Sequence, residues 1–233
     1  MNYSELVTAI QSYTENQFPD VYLADGSTES STTQINRFIE QAEQRIYNTV
    51  QFPSIRKNVT GITTAGNKYL SCPSDFLAVK SLAVNTDDGQ EFLLNKDVNF
   101  IRQAYPKATD TSTPKYYALF GPTTTSVPPI TVTNELSFIL GPTPDAIYDV
   151  ELHYYYYPES ITTATTTWLG DNFDTVLLYG SLVEAYTFMK GETDMISLYD
   201  TKYKEALALA KRLGDGMERT DAYRTGQFRQ AVT

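Results

Sequence analysis

The sequence predicts an α+β protein: an antiparallel helical bundle formed by the N-terminal and C-terminal helices, with an inserted antiparallel β-lobe. Three observations carry this prediction. Apolar residues recur at steps of three and four in residues 1–53 and again in 168–214. Between residues 54 and 167 the period drops to two, and Gly, Pro, Asn and Asp punctuate the chain. About three residues separate the last two helical stripes, a connection short enough to make them antiparallel neighbours. The expected organisation is therefore N-terminal helices over 1–53, the β-lobe over 54–167, a helical hairpin over 168–214 and an extended tail over 215–233.

Each element has its own local reason. A first helix is expected over 4–15, where Asn2 can cap with Glu5 three positions on and Leu6, Ile10 and Tyr13 share a face. Pro19, Asp20, Asp25, Gly26 and the Ser/Thr-rich run 27–32 read as a loop. Thr33 is the candidate cap of a second helix, whose stripe is Ile35, Phe38, Ile39, Ala42, Ile46 and Val50; Phe52-Pro53 stops it. A meander follows, with strands near 57–62, 68–70, 76–84 and 91–94, and turns at 65–67, 72–75 and 87–89. Residues 97–105 form one helical piece ended by Pro106, and strands return at 115–120, 135–140 and 147–157. In the last strand Tyr148, Val150, Leu152, Tyr154 and Tyr156 alternate with a mostly polar set, so one face meets a core and the other meets water or a partner. Asp171 and Asp174 are expected to open a helix that runs to Lys190-Gly191. Thr193 opens the next, through Ile196, Tyr199, Tyr203, Ala206, Ala210 and Leu213, with Gly214 as its end.

Composition narrows the function. Lys and Arg number 18 against 28 Asp and Glu, a net charge of −10, so the chain should not coat nucleic acid. Cys72 and His153 are the single cysteine and histidine, which excludes internal disulfides and Cys/His zinc clusters. The N-terminal residues lack a basic and then apolar leader pattern, and no window approaches 18 apolar residues, so neither export nor membrane insertion is expected. His153 shares a strand face with Glu151 and Asp149, but no nucleophile accompanies them, and a polar strand face accounts for all three; no catalytic residue, metal site or cofactor is expected. Asp87-Asp88-Gly89 and Asp20 with Asp25-Gly26 lack the spacing of a calcium loop and read as turns. Asn58-Val59-Thr60 matches a glycosylation acceptor that has no meaning without export, and Cys72 reads as an inert turn residue.

Tyrosine stands out, with 18 residues against 11 Phe and one Trp, and suits contact surfaces because it offers large area with a polar tip. Tyr199 and Tyr203 lie on a helical stripe and are expected to pack. Tyr155 and Tyr157 point away from the inner strand face, either as a protein–protein contact or as part of a cross-strand aromatic pair. Charge is uneven: residues 1–50 carry −5, 51–150 carry −1, 151–210 carry −6 and 211–233 carry +2.

Several phrases in order then become recognisable: FPSIRKNV, YLSCPSDFLAVKSL, PKYYALFG, LGPTPDAIYDVELHYYYYP, TWLGDNFDTVLLYGSLVEAYTFMKGETDM and YDTKYKEALALAKRLGDGMERTDAYRTGQFR. Together, over residues 35–230, the chain resembles the head-to-tail adaptor proteins of tailed bacteriophages, in particular those of short-tailed phages and the relatives called tail tubular protein A. The resemblance implies a structural protein of the virion neck, made in the host cytoplasm and assembled as a ring of about twelve copies under the portal protein. It further implies that the bundle lines a channel through which double-stranded DNA passes without specific binding, that the β-lobe meets the tail nozzle or tail tube protein, and that the C-terminal tail reaches the portal. On that reading Tyr223, Arg224, Phe228 and Arg229 dock on the portal, and there is no catalytic residue, cofactor or membrane contact. The competing expectations are a carbohydrate- or receptor-binding tail module using the β-lobe, and an enzyme built on His153 and its acidic neighbours.

Overall fold

The computed structural model describes residues 1–107, 109–121, 124–125, 131–132 and 136–218, the side chains of 124–125, 131–132 and 215–218 excepted. Along the chain the elements are α1 (Tyr3–Thr14), β1 (Val21–Tyr22), β2 (Thr28–Glu29), α2 (Ser31–Thr49), a 3-10 turn (Pro53–Ile55), β3 (Arg56–Ile62), β4 (Tyr69–Ser71), β5 (Ala78–Thr86), β6 (Gly89–Phe92) and β7 (Leu94–Asn95). They continue as α3 (Val98–Ala104), β8 (Tyr116–Phe120), β9 (Thr124–Thr125), β10 (Thr131–Val132), β11 (Ser137–Gly141), β12 (Asp149–Tyr155), α4 (Ile161–Ala164), α5 (Trp168–Asn172), α6 (Asp174–Phe188) and α7 (Thr193–Glu218). The class is α+β, as expected. The chain divides into two compact units, one of residues Met1–Ile55 with Tyr157–Thr233, the other of Arg56–Tyr156.

In the helical unit, α1 begins with the expected capping box: Asn2 Oδ1 accepts from the Glu5 N–H and Glu5 Oε2 accepts from the Asn2 N–H, both at 2.9 Å. The cap of α2 is Ser30 rather than Thr33. The helix starts one turn earlier, which puts Thr33 where its own N–H donates to Ser30 Oγ at 3.2 Å. The stripe Ile35, Phe38, Ile39, Ala42 and Ile46 is fully buried. The helix expected to open at Asp171 is two helices. Thr167 caps α5 through the Gly170 N–H, and the chain bends at Phe173 before α6 starts. The bend has a packing cause: the Phe173 ring lies 5.1 Å from Phe52 and 5.5 Å from Trp168, an aromatic cluster that a continuous helix would pull apart.

Helix α6 packs on α1, α2 and α7, and its buried residues run nearly all round it, from Val176 to Ala185. Close approach depends on Gly180, where a Cβ would stand 3.2 Å from Ala42 Cβ and 3.2 Å from the Tyr203 ring. Helix α7 continues to Glu218, past the stop expected at Gly214. Gly214 is a packing residue instead, since a Cβ there would meet Val50 Cγ1 at 3.1 Å. Tyr199 and Tyr203 are buried, as expected of packing residues. Residues 157–218 group with the N-terminal helices, and among them α4 buries Ile161 completely.

The other unit contains two four-stranded sheets, ordered β3-β12-β5-β6 and β4-β11-β8-β7, and the short pair β9 and β10. Among the described strands pairing is antiparallel except that β7 runs parallel to β8, with Leu94 opposite Tyr116; the expected meander is interrupted there because α3 intervenes between the two strands. The period of two does its work in β12, where Val150, Leu152 and Tyr154 are buried and their neighbours are not. These pack with Leu82, Val84, Tyr117, Phe138 and Leu140 in one core drawn from both sheets. Ala118 and Ile139, on the opposite face of β8 and β11, pack with Ile101 of α3. Gly89 at φ +130° closes the β5–β6 hairpin, the turn reading of Asp87-Asp88-Gly89.

Candidate interaction surfaces

The first surface is the open face of the β3-β12-β5-β6 sheet. Alternation along β12 puts Asp149, Glu151, His153 and Tyr155 on it, and register places Asn58 opposite His153 and Ala83 opposite Glu151. Asn58, Ser81, Ala83, Gln90, Phe92, Glu151 and His153 line a shallow depression of about 250 Å³. Glu151 is the hub: one carboxylate oxygen accepts from Asn58 Nδ2 and the other from Gln90 Nε2 at 2.6 Å. Those two bonds hold its carboxyl below the usual glutamate range. Burial, then the nearby charges of Lys80 and Arg56, pushes His153 below the usual histidine value. Glu151 and His153 do share a face, but the carboxylate is spent on two amides. Glu151 thereby links β12 to β3 and β6.

Nearby, Tyr154 donates to Asp75 Oδ1 at 2.8 Å and Lys57 Nζ donates to Asp75 Oδ2 at 2.8 Å. The lysine first, with the tyrosine also contributing, holds Asp75 below the usual aspartate range. Tyr155 is half-buried with the Arg56 guanidinium 5.7 Å from its ring centre. Tyr157 lies beyond the end of β12 and in the helical unit, where its hydroxyl donates to Asn48 Oδ1 at 2.6 Å. Alternation grouped the two tyrosines on one strand face; they stand in different units because the strand ends at Tyr155.

The second surface is a groove of about 190 Å³ in the helical unit, lined by Glu40, Glu43, Gln44, Tyr47, Tyr157, Pro158 and Ser160. Glu43 is only 3% exposed. Its Oε1 accepts from the Ile161 N–H at 3.0 Å, and Ser160 also bonds the carboxylate. Burial raises its carboxyl above the usual range, Ser160 and the Ile161 N–H oppose the rise, and the charge of Glu40 adds a smaller push upward. Sequence reasoning missed Glu43. Its signal was position, one residue after Ala42 and three before Ile46 on a stripe that had to be buried.

The remaining candidates resolve into structure. Asp25 Oδ1 accepts from the Ser27 N–H at 2.9 Å and from Ser27 Oγ at 2.6 Å, and Asp20 Oδ1 accepts from the Ser31 N–H at 3.0 Å, which is turn chemistry. Cys72 is buried, and burial pushes its thiol up to about 12. Among the described residues no group of three or more His, Cys, Asp or Glu side chains could hold a metal ion, and no helix is long and apolar enough to cross a membrane. Tyr223, Arg224, Phe228 and Arg229 lie outside the described residues.

Two units whose polar residues are engaged in cross-links, and whose open faces carry exposed aromatic and aliphatic side chains, define a protein of contact surfaces. The family model described as SU10 adaptor protein matches residues 1–230. The chain belongs to that family, which comprises structural adaptor proteins of bacteriophages and not enzymes. Comparison with curated proteins finds no match.

Proposed function

We propose that this adaptor joins head to tail by assembling as a ring of about twelve copies beneath the portal protein, extending the DNA channel and offering the tail nozzle or tail tube protein its platform. The observation that carries this reading is the family match over residues 1–230. In this reading the helices act as an antiparallel bundle around the channel and the β unit is a lobe inserted between α2 and α4. Charge supports it. Residues 1–55 with 157–218 carry seven bases against 17 acids, net −10, while 56–156 carry eight against 10, net −2. A wall of that sign lets DNA pass, because retention needs Lys and Arg on phosphate. Tyr223, Arg224, Phe228 and Arg229, in the basic end of the chain, dock on the portal, and Tyr155 and Tyr157 meet the tail or the adjacent copy.

Electron microscopy of the chain mixed with its phage's portal protein tests this. A ring stacked on the portal is expected; separate monomers would overturn it. Deleting residues 217–233 should abolish the joining, and unimpaired joining would remove the docking role of the tail. A second reading, a carbohydrate-binding tail module, draws on the depression lined by Asn58, Gln90, Glu151 and the exposed Phe92. It predicts glycan binding by the purified chain and no affinity for a portal.

A further inference from the structure

The groove along α2 is acidic, and among the described residues no base lines it. Glu40 and Glu43 form its acidic side, and Glu159 lies in sequence between two of its other residues, Pro158 and Ser160. Both lining carboxylates rest on neutral donors: Glu43 on the Ile161 N–H at 3.0 Å and on Ser160, Glu40 on Thr162 Oγ1 at 3.2 Å. Neutral donors satisfy lone pairs but leave a negative charge uncompensated, and Glu43 is 3% exposed. The two bases of α2 are committed elsewhere, Arg37 to Glu29 and Arg45 to Glu184. Tyr47 and Tyr157 add aromatic walls beside the acids, and a volume of about 190 Å³ admits a side chain rather than a single water. Such walls and paired carboxylates suit a cation with a flat face, which favours arginine over lysine.

The chain carries such a cation on a tether of suitable length. Residues 219–233, outside the described residues, hold Arg219, Arg224 and Arg229, no lysine and one acid, Asp221, a side-chain balance of three against one. Their starting point is set by α7, which passes the C-terminal end of α2, where a Gly214 Cβ would meet Val50 Cγ1 at 3.1 Å, and ends at Glu218. Tyr47 and Glu43 precede Val50 by about one and two turns, or about 5 and 10 Å along the helix. Arg224 is six residues past Glu218, a reach of about 20 Å plus its own side chain. Arg219 has no such reach, and seating Arg229 would order almost twice as much chain.

We infer that, in the free chain, residues 219–233 lie back along α2 of the same molecule, with the Arg224 guanidinium seated in the groove against the Glu40 and Glu43 carboxylates. Charge, flat shape and reach select this occupant together. Tethering also gives the segment a local concentration that a separate basic protein would have to match. Arg224 is the residue that the portal reading sends to the portal, so groove and portal compete for it; the seating itself does not depend on that reading.

Disulfide trapping within the full chain, in dilute protein at low salt under mild oxidation, tests the seating. Thr225→Cys is combined either with Gln44→Cys, which lines the groove, or with Thr49→Cys, nearer the end of α2 and about 140° round the helix from Gln44. Gln44, Thr49 and Glu40 are exposed, so their variants should melt close to the parent, and the buried Cys72 thiol should stay unreactive. Linkage to position 44 should be at least about fivefold faster than to position 49. Glu40→Lys or Arg224→Glu should bring the two rates together, and the two changes combined should restore the difference. Equal or faster linkage at position 49, a rate at position 44 that ignores Glu40→Lys, or linkage chiefly between separate chains would overturn the seating. Portal protein is left out of every arm, so such a failure leaves the portal reading standing.

Discussion

In the helical unit Glu43 sits 3% exposed against the start of α4 with its carboxyl pushed up by burial, whereas Glu151 in the β unit stands on an open sheet face and is held down by two amides. Both residues tie together segments far apart in sequence, Glu43 to Ile161 and Glu151 to Asn58 and Gln90. Their opposite shifts show which term wins in each place. Removal from water outweighs two hydrogen bonds at Glu43, and at Glu151 the hydrogen bonds act almost without desolvation. The helical unit therefore uses a costly buried acid to fix where the chain re-enters after Tyr156, and the β unit uses a surface acid to link its strands.

The largest way to break this comparison is through the core of the β unit. Phe138 is fully buried, with Phe76 and Tyr117 edge-on at 5.5 and 5.7 Å. Phe138→Ala should destabilise that unit by about 3–5 kcal/mol, and hydrogen exchange should show lost protection across β5, β11 and β12 with α2 and α6 little changed. Next comes Glu43→Ala, which leaves the buried Ile161 N–H and Ser160 without their acceptor and should cost about 1–3 kcal/mol. Glu43→Gln keeps an acceptor oxygen and removes the buried charge, so it should match or exceed the parent in thermal melts at neutral pH.

Titration sharpens the contrast. Because the folded value of Glu43 is raised, its contribution to stability falls as pH rises from the ordinary 4.5 through that raised value, and Glu43→Gln should flatten that slope. Glu151 has a lowered folded value, so its contribution is present above 4.5 and is lost as pH falls through the folded value. Glu151→Gln should flatten the acid limb only, in melts recorded from pH 3 to 7. The smallest effect belongs to the capping box: Asn2→Ala should cost about 1 kcal/mol, read as fraying of α1 by hydrogen exchange.

Local chemistry was legible where the signal was local. The Asn2–Glu5 box, the α2 stripe, the helical piece over 97–105 and the alternation of β12 follow from residues within a few positions of one another. The adaptor family was legible too, from the order of phrases along the chain, and the match over residues 1–230 bears it out. Misread elements share a cause, a distant partner that overrode local preference. Phe173 breaks a helix because Phe52 and Trp168 claim its ring, and Gly214 continues one because Val50 fills the space a side chain would need.

By itself the sequence determined the α+β class, the acidic balance and the switch from helical to strand period, since propensity, charge and periodicity act over a few residues at a time. Tertiary structure decided which carboxylate is buried, which strands pair in parallel and where α5 gives way to α6. Those outcomes depend on which surfaces the fold brings within van der Waals and hydrogen-bonding reach. Desolvation and close packing are properties of neighbours in space that no single stretch of chain contains.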